Sequence, residues 1–173
     1  VVAANIRRLG FRLQDVKVLL MSHEHHDHTG GMAALKTLTG AKLIASAAAA
    51  PVMRSGTASA DDPQFGMNPG FPPVEVDRVL DASGIVRSGK IALQAIPTPG
   101  HTPGALSWQW RSCGGGDCRT LVFADSLSAI SNDTYRFSDH RAYVHAFREG
   151  LARLASVECD MLLTPHPTAS DMH

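Results

Sequence analysis

The sequence has 173 residues, of which 44% are hydrophobic and 18% are charged, as is ordinary for a globular domain. Sixteen lysines and arginines balance sixteen aspartates and glutamates, so net charge does not favour nucleic acid or an anionic membrane as a partner. No apolar run approaches the roughly 20 residues that a membrane-spanning helix needs.

The predicted elements mix helices and strands along the chain. Gly40 closes one predicted helix and Ser46 can cap the next one. In chain order we expect a helix over 1–9, a strand over 16–21, a helix over 32–38, a strand over 42–45, a helix from 46 to about 53, strands over 76–80, 90–96, 105–111 and 120–124, a helix between 139 and 157, and a strand over 160–163. No linker divides the chain, so we expect one α/β domain over residues 1–173.

Both ends of the sequence favour a fragment of a longer domain. The first residue is Val1, and the helix predicted there has no capping residue before it. The last residue, His173, comes just after a dense polar motif.

A long irregular stretch covers residues 55–73 and is rich in Gly, Pro, Ser and Asp. Loops of this length in a compact domain are usually functional or disordered. The stretch also contains the apolar residues Phe65, Met67 and Phe71. We predict a mobile flap that closes over a cleft.

The predicted helix between 139 and 157 is amphipathic. Val144, Phe147, Leu151 and Leu154 recur with the spacing of one helical face. Elsewhere in the chain, polar motif residues recur at the ends of predicted strands. Loops gather there on one rim of a sheet, which is a common place for a functional site.

Histidine and aspartate are concentrated directly after the first predicted strand. His23 and His25 are two residues apart, so in an extended segment they point to the same side. Asp27 and His28 follow as the chain turns, and the Gly30–Gly31 pair lets the backbone bend sharply. One short loop can therefore offer ligands to two metal ions.

Imidazole nitrogens and carboxylate oxygens are typical zinc ligands. A purification tag would be a run of one residue at a terminus, and a structural zinc finger would need cysteines at set spacing. The pattern H-x-H-x-D-H, which lies between an apolar strand and two glycines, fits neither. It predicts a catalytic zinc site.

Three cysteines are present. Cys113 and Cys118 enclose a Gly-Gly-Gly-Asp loop in which the two sulfurs could meet. A disulfide there would imply an oxidising compartment, and the alternative is half of a four-cysteine zinc site. The chain has no C-x-x-C pair that would complete such a site, and we favour the disulfide on the grounds of compartment alone. Cys159 is left over, either as a buried apolar residue or with a partner outside this sequence.

The pattern H-x-H-x-D-H resembles the signature of the metallo-β-lactamase superfamily. Two further segments, 97–104 and 162–167, match that superfamily in order, and the resemblance covers residues 16 to 171. It implies an αββα sandwich, here incomplete at the N-terminal strands and the C-terminal helix.

The resemblance also implies a set of ligands for two zinc ions. The first zinc would be held by His23, His25 and His101. The second zinc would be held by Asp27, His28 and His166. The remaining histidines, which we interpret as non-ligands, are His26, His140, His145 and His173.

The segment 123–128 distinguishes members of the superfamily. It lacks the cysteine that one β-lactamase subclass uses as a ligand. It most resembles the dizinc β-lactamase subclass without that cysteine, as does the Cys113–Cys118 hairpin. In that subclass Ser126 and Ser128 would line the site and meet the substrate carboxylate. Two roles are possible for Asp125. We favour a role in supporting a ligand, whereas a metal-bridging role would indicate a thioesterase or lactonase.

The implied activity is hydrolysis of the β-lactam amide bond of antibiotics by a metal-bound hydroxide. Asp27 would orient the attacking water and relay a proton. Ser126 has no general base arranged for it in the sequence, so a serine nucleophile is disfavoured. We therefore expect a monomeric periplasmic or secreted enzyme of antibiotic resistance. The alternatives are a thioesterase or lactonase of the same superfamily and a non-catalytic metal-binding domain.

Overall fold

Two β-sheets pack face to face, with helices on both outer faces. The computed structural model describes residues 1–81 and 84–169, and His173, predicted not to be a ligand, lies outside them. This layered arrangement is the predicted αββα sandwich. Within the described ranges, no helix is both long enough and apolar enough to cross a lipid bilayer.

The first sheet contains three parallel strands in the order β1-β2-β3. Connections between parallel strands need a crossover, and helices provide the one between β1 and β2. The elements of this half are α1 (Val2–Arg8), β1 (Val18–Leu20), α2 (His26–Thr29), α3 (Met32–Thr39), β2 (Lys42–Ser46), α4 (Ala49–Ser55) and β3 (Arg78–Leu80).

The second sheet contains five strands in the order β4-β5-β6-β7-β8. The first four strands pair antiparallel, and β8 pairs parallel to β7. The elements are β4 (Ile85–Ser88), β5 (Ile91–Pro97), β6 (Leu106–Gly114), β7 (Asp117–Phe123), α5 (Arg141–Ala155) and β8 (Met161–Leu163).

Alternating side chains of β2 connect the two halves of the core. Leu43 and Ala45 belong to the apolar cluster shared with α4, whereas Ile44 belongs to the cluster between the sheets. Successive strand residues point to opposite faces, so one strand supplies both layers. Trp108 of β6 adds a polar link, because its indole N–H donates to the Met21 carbonyl at 3.0 Å.

The order of the predicted elements is confirmed, except that strand β4 and the one-turn helix α2 were not predicted. Strand β4 is short and has a single buried residue, Val86, so its alternating pattern is weak. The mobile flap over 55–73 stays a prediction, and its three apolar residues differ in exposure. Phe71 is buried in the core, whereas Phe65 and Met67 are about half exposed.

Candidate metal centre

The histidine-rich loop begins where β1 ends and turns within a few residues into the short helix α2. His25 is extended and precedes the helix. Its carbonyl accepts the backbone N–H of His28 at 3.1 Å, and the Thr29 hydroxyl at 2.7 Å. This turn leaves His23 and His25 on an extended segment and Asp27 and His28 on a helical one, as the spacing predicts.

Three buried imidazoles meet at the centre of the loop cluster. His23 and His25 come from the loop after β1, and His101 comes from the turn between β5 and β6. Each ring contributes one nitrogen, and these three nitrogens lie within 4.8 Å of one another. All three rings are less than 9% exposed, so this group is shielded from bulk water.

Two of these rings are held by buried carboxylates at their other nitrogen. His23 Nδ1 donates to Asp125 Oδ1 at 2.8 Å, and His25 Nε2 donates to Asp62 Oδ2 at 3.0 Å. Such carboxylates fix the tautomer of a metal-binding histidine and its ring orientation. His23 Nε2 and His25 Nδ1 are thereby left to accept a cation.

The third ring, His101, is held by the segment after β7. Its Nδ1 donates to the Ser128 carbonyl at 3.0 Å and lies 3.1 Å from the Ser128 hydroxyl. The amide nitrogen of Gln64 is 3.3 Å from His101 Nε2. Gln64 therefore lies at the nitrogen that faces the other two histidines.

A second group adjoins the first on its solvent side. Asp27 Oδ2 lies 3.1 Å from His28 Nε2 and 3.8 Å from His166 Nε2. Asp27, His28 and His23 each offer one ligand atom, and these three atoms lie within 4.8 Å of one another. Asp27 and His166 are more than half exposed, so this group opens to solvent. The structure thus brings five of the six predicted ligands together in two groups that share His23, and the sixth, His166, lies beside Asp27 at the solvent side.

The donor atoms fit zinc. Imidazole nitrogen and carboxylate oxygen suit this ion, in sets of three with a further position for water or substrate. His23 Nε2 is buried and forms no hydrogen bond with any described residue. A buried polar atom without a partner is costly, and a bound cation would satisfy this nitrogen.

The ionisation states also favour cation binding. Burial, with the nearby His23, lowers the pKa of His28 to about 4. Burial likewise lowers the pKa of His101, although the hydrogen bond to Ser128 opposes this shift. Burial works against the charge of Asp27, but the neighbouring histidines, led by His28, bring its pKa below the usual value. His28 and His101 are therefore neutral and Asp27 is ionised near neutral pH, as metal ligation requires.

Asp125 lies behind His23, at the ring nitrogen that does not face the other ligands. Its backbone N–H donates to the Ser107 hydroxyl at 3.0 Å, and Ser107 is in turn 3.0 Å from the Thr98 hydroxyl. This buried chain fixes the backbone of Asp125 where β7 ends. The position favours the interpretation of Asp125 as a support for a ligand.

Ser126 and Ser128 line an open cleft next to His166. The cleft has a volume of about 410 Å³ and is bounded by residues 124–128 and by the segment that follows β8. Ser126 is partly buried and Ser128 is exposed. Both serines lie where a ligand in the cleft could reach them.

Two residues of the long loop, which no sequence pattern predicted, contact the ligand histidines. Asp62 and Gln64 are buried, and each contacts a histidine 37 residues away along the chain. Their mutual hydrogen bond, from the Gln64 N–H to Asp62 Oδ1 at 2.8 Å, joins them in one turn. The long loop therefore forms one side of the site.

The histidines predicted to be non-ligands have other contacts. His26 Nδ1 donates to the Gly70 carbonyl at 2.9 Å and so ties α2 to the long loop. His140 stacks on Tyr135 with ring centroids 4.2 Å apart. His145 lies on an exposed face of α5.

Cys113 and Cys118 form a disulfide at the tip of the β6–β7 hairpin. The predicted bond is therefore present, and the alternative of a cysteine zinc site at this pair is wrong. Cys159 has a free thiol and is exposed, so the expectation that it might be a buried apolar residue is also wrong.

The model of the Metallo-beta-lactamase superfamily matches residues 2–166. A curated relative, the hydroxyacylglutathione hydrolase of Polaromonas sp., is 30% identical over 97% of this chain and 64% of its own length.

Solved structures are more similar in sequence. The MIM-2 metallo-beta-lactamase is 58% identical with a TM-score of 0.94, over 99% of this chain and 62% of that one. MEM-A1, a subclass B3 metallo-beta-lactamase from a soil metagenome library, is 42% identical with a TM-score of 0.93, over 99% of this chain and 66% of that one. The chain spans less than two thirds of the length of all three proteins.

Proposed function

Since this chain belongs to the metallo-beta-lactamase superfamily, we propose that it hydrolyses the amide bond of β-lactam antibiotics and uses two zinc ions to do so. The observation that carries this proposal is the 58% identity to a metallo-beta-lactamase over 99% of the chain. Residues 1–173 would act as one domain of this type and as a monomer.

The two groups of ligands would hold one ion each. The first zinc is assigned to His23, His25 and His101. The second zinc is assigned to Asp27, His28 and His166. When bound, a zinc pair lowers the pKa of water, polarises a carbonyl oxygen and stabilises a departing nitrogen.

The side chains of this protein then hold, orient and exchange protons with the reactants. Three imidazole ligands would hold the first cation without cancelling its charge, because imidazole binds a metal in its uncharged form. Asp27 is more than half exposed and ionised, so it can orient a water molecule and carry a proton toward the amide nitrogen as the ring opens. Ser126 and Ser128 can donate hydrogen bonds to the substrate carboxylate from the cleft wall. Gln64, beside His101, can donate to a substrate oxygen at the first group.

A second candidate is thioester hydrolysis, because the curated relative in Polaromonas sp. is named a hydroxyacylglutathione hydrolase. The position of Asp125 argues against it. A bridging aspartate would have to face the ligand nitrogens of both groups, whereas Asp125 Oδ1 accepts a hydrogen bond from the outer nitrogen of His23.

The test compares two substrates with one zinc-loaded sample. Turnover of a carbapenem should exceed turnover of a hydroxyacylglutathione thioester. Faster thioester hydrolysis would favour the second candidate, and no hydrolysis of either would leave a metal-binding domain. We further propose a periplasmic or secreted location and a role in antibiotic resistance, which the disulfide supports.

A further inference from the structure

Glu24 stands between two of the histidines and points away from them. In the extended segment after β1, His23 and His25 share one side and Glu24 takes the other. Its carboxylate is only 4% exposed. Oε2 accepts the Thr102 hydroxyl at 2.7 Å, and Oε1 accepts the Gly104 N–H at 2.9 Å. None of the roles described so far uses this residue.

Both partners of Glu24 belong to the turn that carries His101. Thr102 is fully buried and follows His101 directly. Gly104 is packed so closely that an added Cβ would lie 2.8 Å from Glu24 Oε1 and 2.7 Å from the Ala49 backbone nitrogen. Only glycine lets the backbone approach the carboxylate this closely. The carboxylate thus joins the loop of His23 and His25 to the turn of His101.

We propose that Glu24 is a positioning residue that sets His101 in place relative to His23 and His25, so that the three imidazoles can share one zinc ion. This inference rests on the proposed zinc site. The zinc site alone does not imply this role. Its three histidines come from two separate segments, and a contact between the segments must hold them at the distance that one ion requires. The carboxylates Asp125 and Asp62 each orient one ring, whereas Glu24 acts between segments.

The chemistry of the two partners explains why a carboxylate is present. Each donor, a hydroxyl and a backbone N–H, needs an acceptor in a buried place, and the two carboxylate oxygens supply one each. Glutamine keeps an acceptor for the Gly104 N–H and can donate to the Thr102 oxygen. Alanine removes both acceptors and leaves the two segments without their link.

The experiment measures zinc affinity by competition with a coloured chelator in the parent protein, Glu24→Ala, Glu24→Gln and Asp77→Ala. Asp77 is the matched control: its carboxylate accepts the Leu43 N–H at 2.7 Å and pairs with Lys36, away from the histidines. Absorption spectra of the cobalt-substituted proteins report ligand geometry at the same site. Unfolding temperatures of the metal-free proteins report the structural cost.

Glu24→Ala should weaken the first-site affinity by about 10- to 100-fold, as loss of outer contacts to metal ligands does, and should change the cobalt spectrum. Glu24→Gln should restore most of the affinity. Asp77→Ala should lower the unfolding temperature and leave affinity and spectrum unchanged.

A folded Glu24→Ala protein with parental affinity and spectrum would overturn the inference, while zinc binding by the parent would still stand. If Glu24→Ala does not fold, Thr102→Val decides, since it removes one hydrogen bond and keeps the side-chain shape. It should weaken affinity by about 2- to 10-fold, and unchanged affinity would refute the role. A parent that binds no zinc would overturn the metal centre itself, and this role with it.

Discussion

Replacing Asp125 by asparagine tests the difference between a supporting carboxylate and a bridging one. The side chains of Asp125 and His23 are both 0% exposed, so neither solvent nor salt can replace their contact. Asparagine has nearly the same shape, and its carbonyl oxygen can still accept the His23 Nδ1–H. The tautomer that leaves Nε2 free is therefore kept, and the change removes mainly the negative charge.

The magnitude follows from that contact. A hydrogen bond to a charged group contributes about 1.5–3 kcal/mol and a neutral one about 1 kcal/mol. The difference of roughly 0.5–2 kcal/mol corresponds to about 2- to 30-fold weaker zinc affinity, which overlaps the range of about 10- to 100-fold known for residues behind metal ligands. At saturating zinc, two ions should remain bound.

The assay combines chelator competition with a zinc count by native mass spectrometry. Ser126→Ala serves as the neighbouring control: it should raise KM for β-lactams and leave zinc affinity unchanged. If Asp125 instead bridged the two ions, it would contribute charge to both. Asp125→Asn would in that case expel one ion even at saturating zinc. That loss, together with faster thioester than β-lactam hydrolysis in the parent, would refute the assignment.

Three further changes have defined outcomes. His166→Ala should reduce the zinc count from two to one, and a count that stays at two would remove His166 from the ligand set. The metal-free protein should lose stability as pH falls from about 6.5 toward 4, measured by thermal unfolding, because the pKa of His28 is about 4 in the folded state and the unfolded chain takes up the proton first. Gly56→Ala should destabilise the protein by about 1–3 kcal/mol more than Gly10→Ala in urea unfolding, because of steric overlap. Both glycines have positive φ, but only at Gly56 would the Cβ overlap the Phe71 carbonyl oxygen; equal losses would contradict this.

The sequence predicted the parts of the site that depend on short-range pattern. A two-residue spacing in an extended segment is enough to align His23 and His25, and the following turn separates Asp27 and His28 from them. The amphipathic stripe of α5 was equally readable, because helical periodicity is a local property. The positions of His101 and His166 came from resemblance, since neither residue carries a local signal.

The supporting residues could not be predicted, for a physical reason. Asp62 and Gln64 lie in a stretch without periodicity, and their contacts depend on how that stretch wraps around the site. Glu24 occupies an unspecified position of the motif, and its partner turn lies 78 residues away. Such contacts exist only once the two halves of the chain have packed.

The disulfide has a consequence for how faithfully the site assembles. Cys113 and Cys118 are paired partners at the far end of the β6–β7 ladder, and Ser107 and Asp125 meet just beyond its other end. A slip of one residue between the two strands would turn every side chain to the opposite face and carry Asp125 away from His23. Once formed, the covalent bond permits only pairings close to the native register, although it lies roughly 20 Å from the other end of the ladder. The oxidised hairpin tip thus favours the register that places Asp125 at His23, without contact with any of the metal ligands.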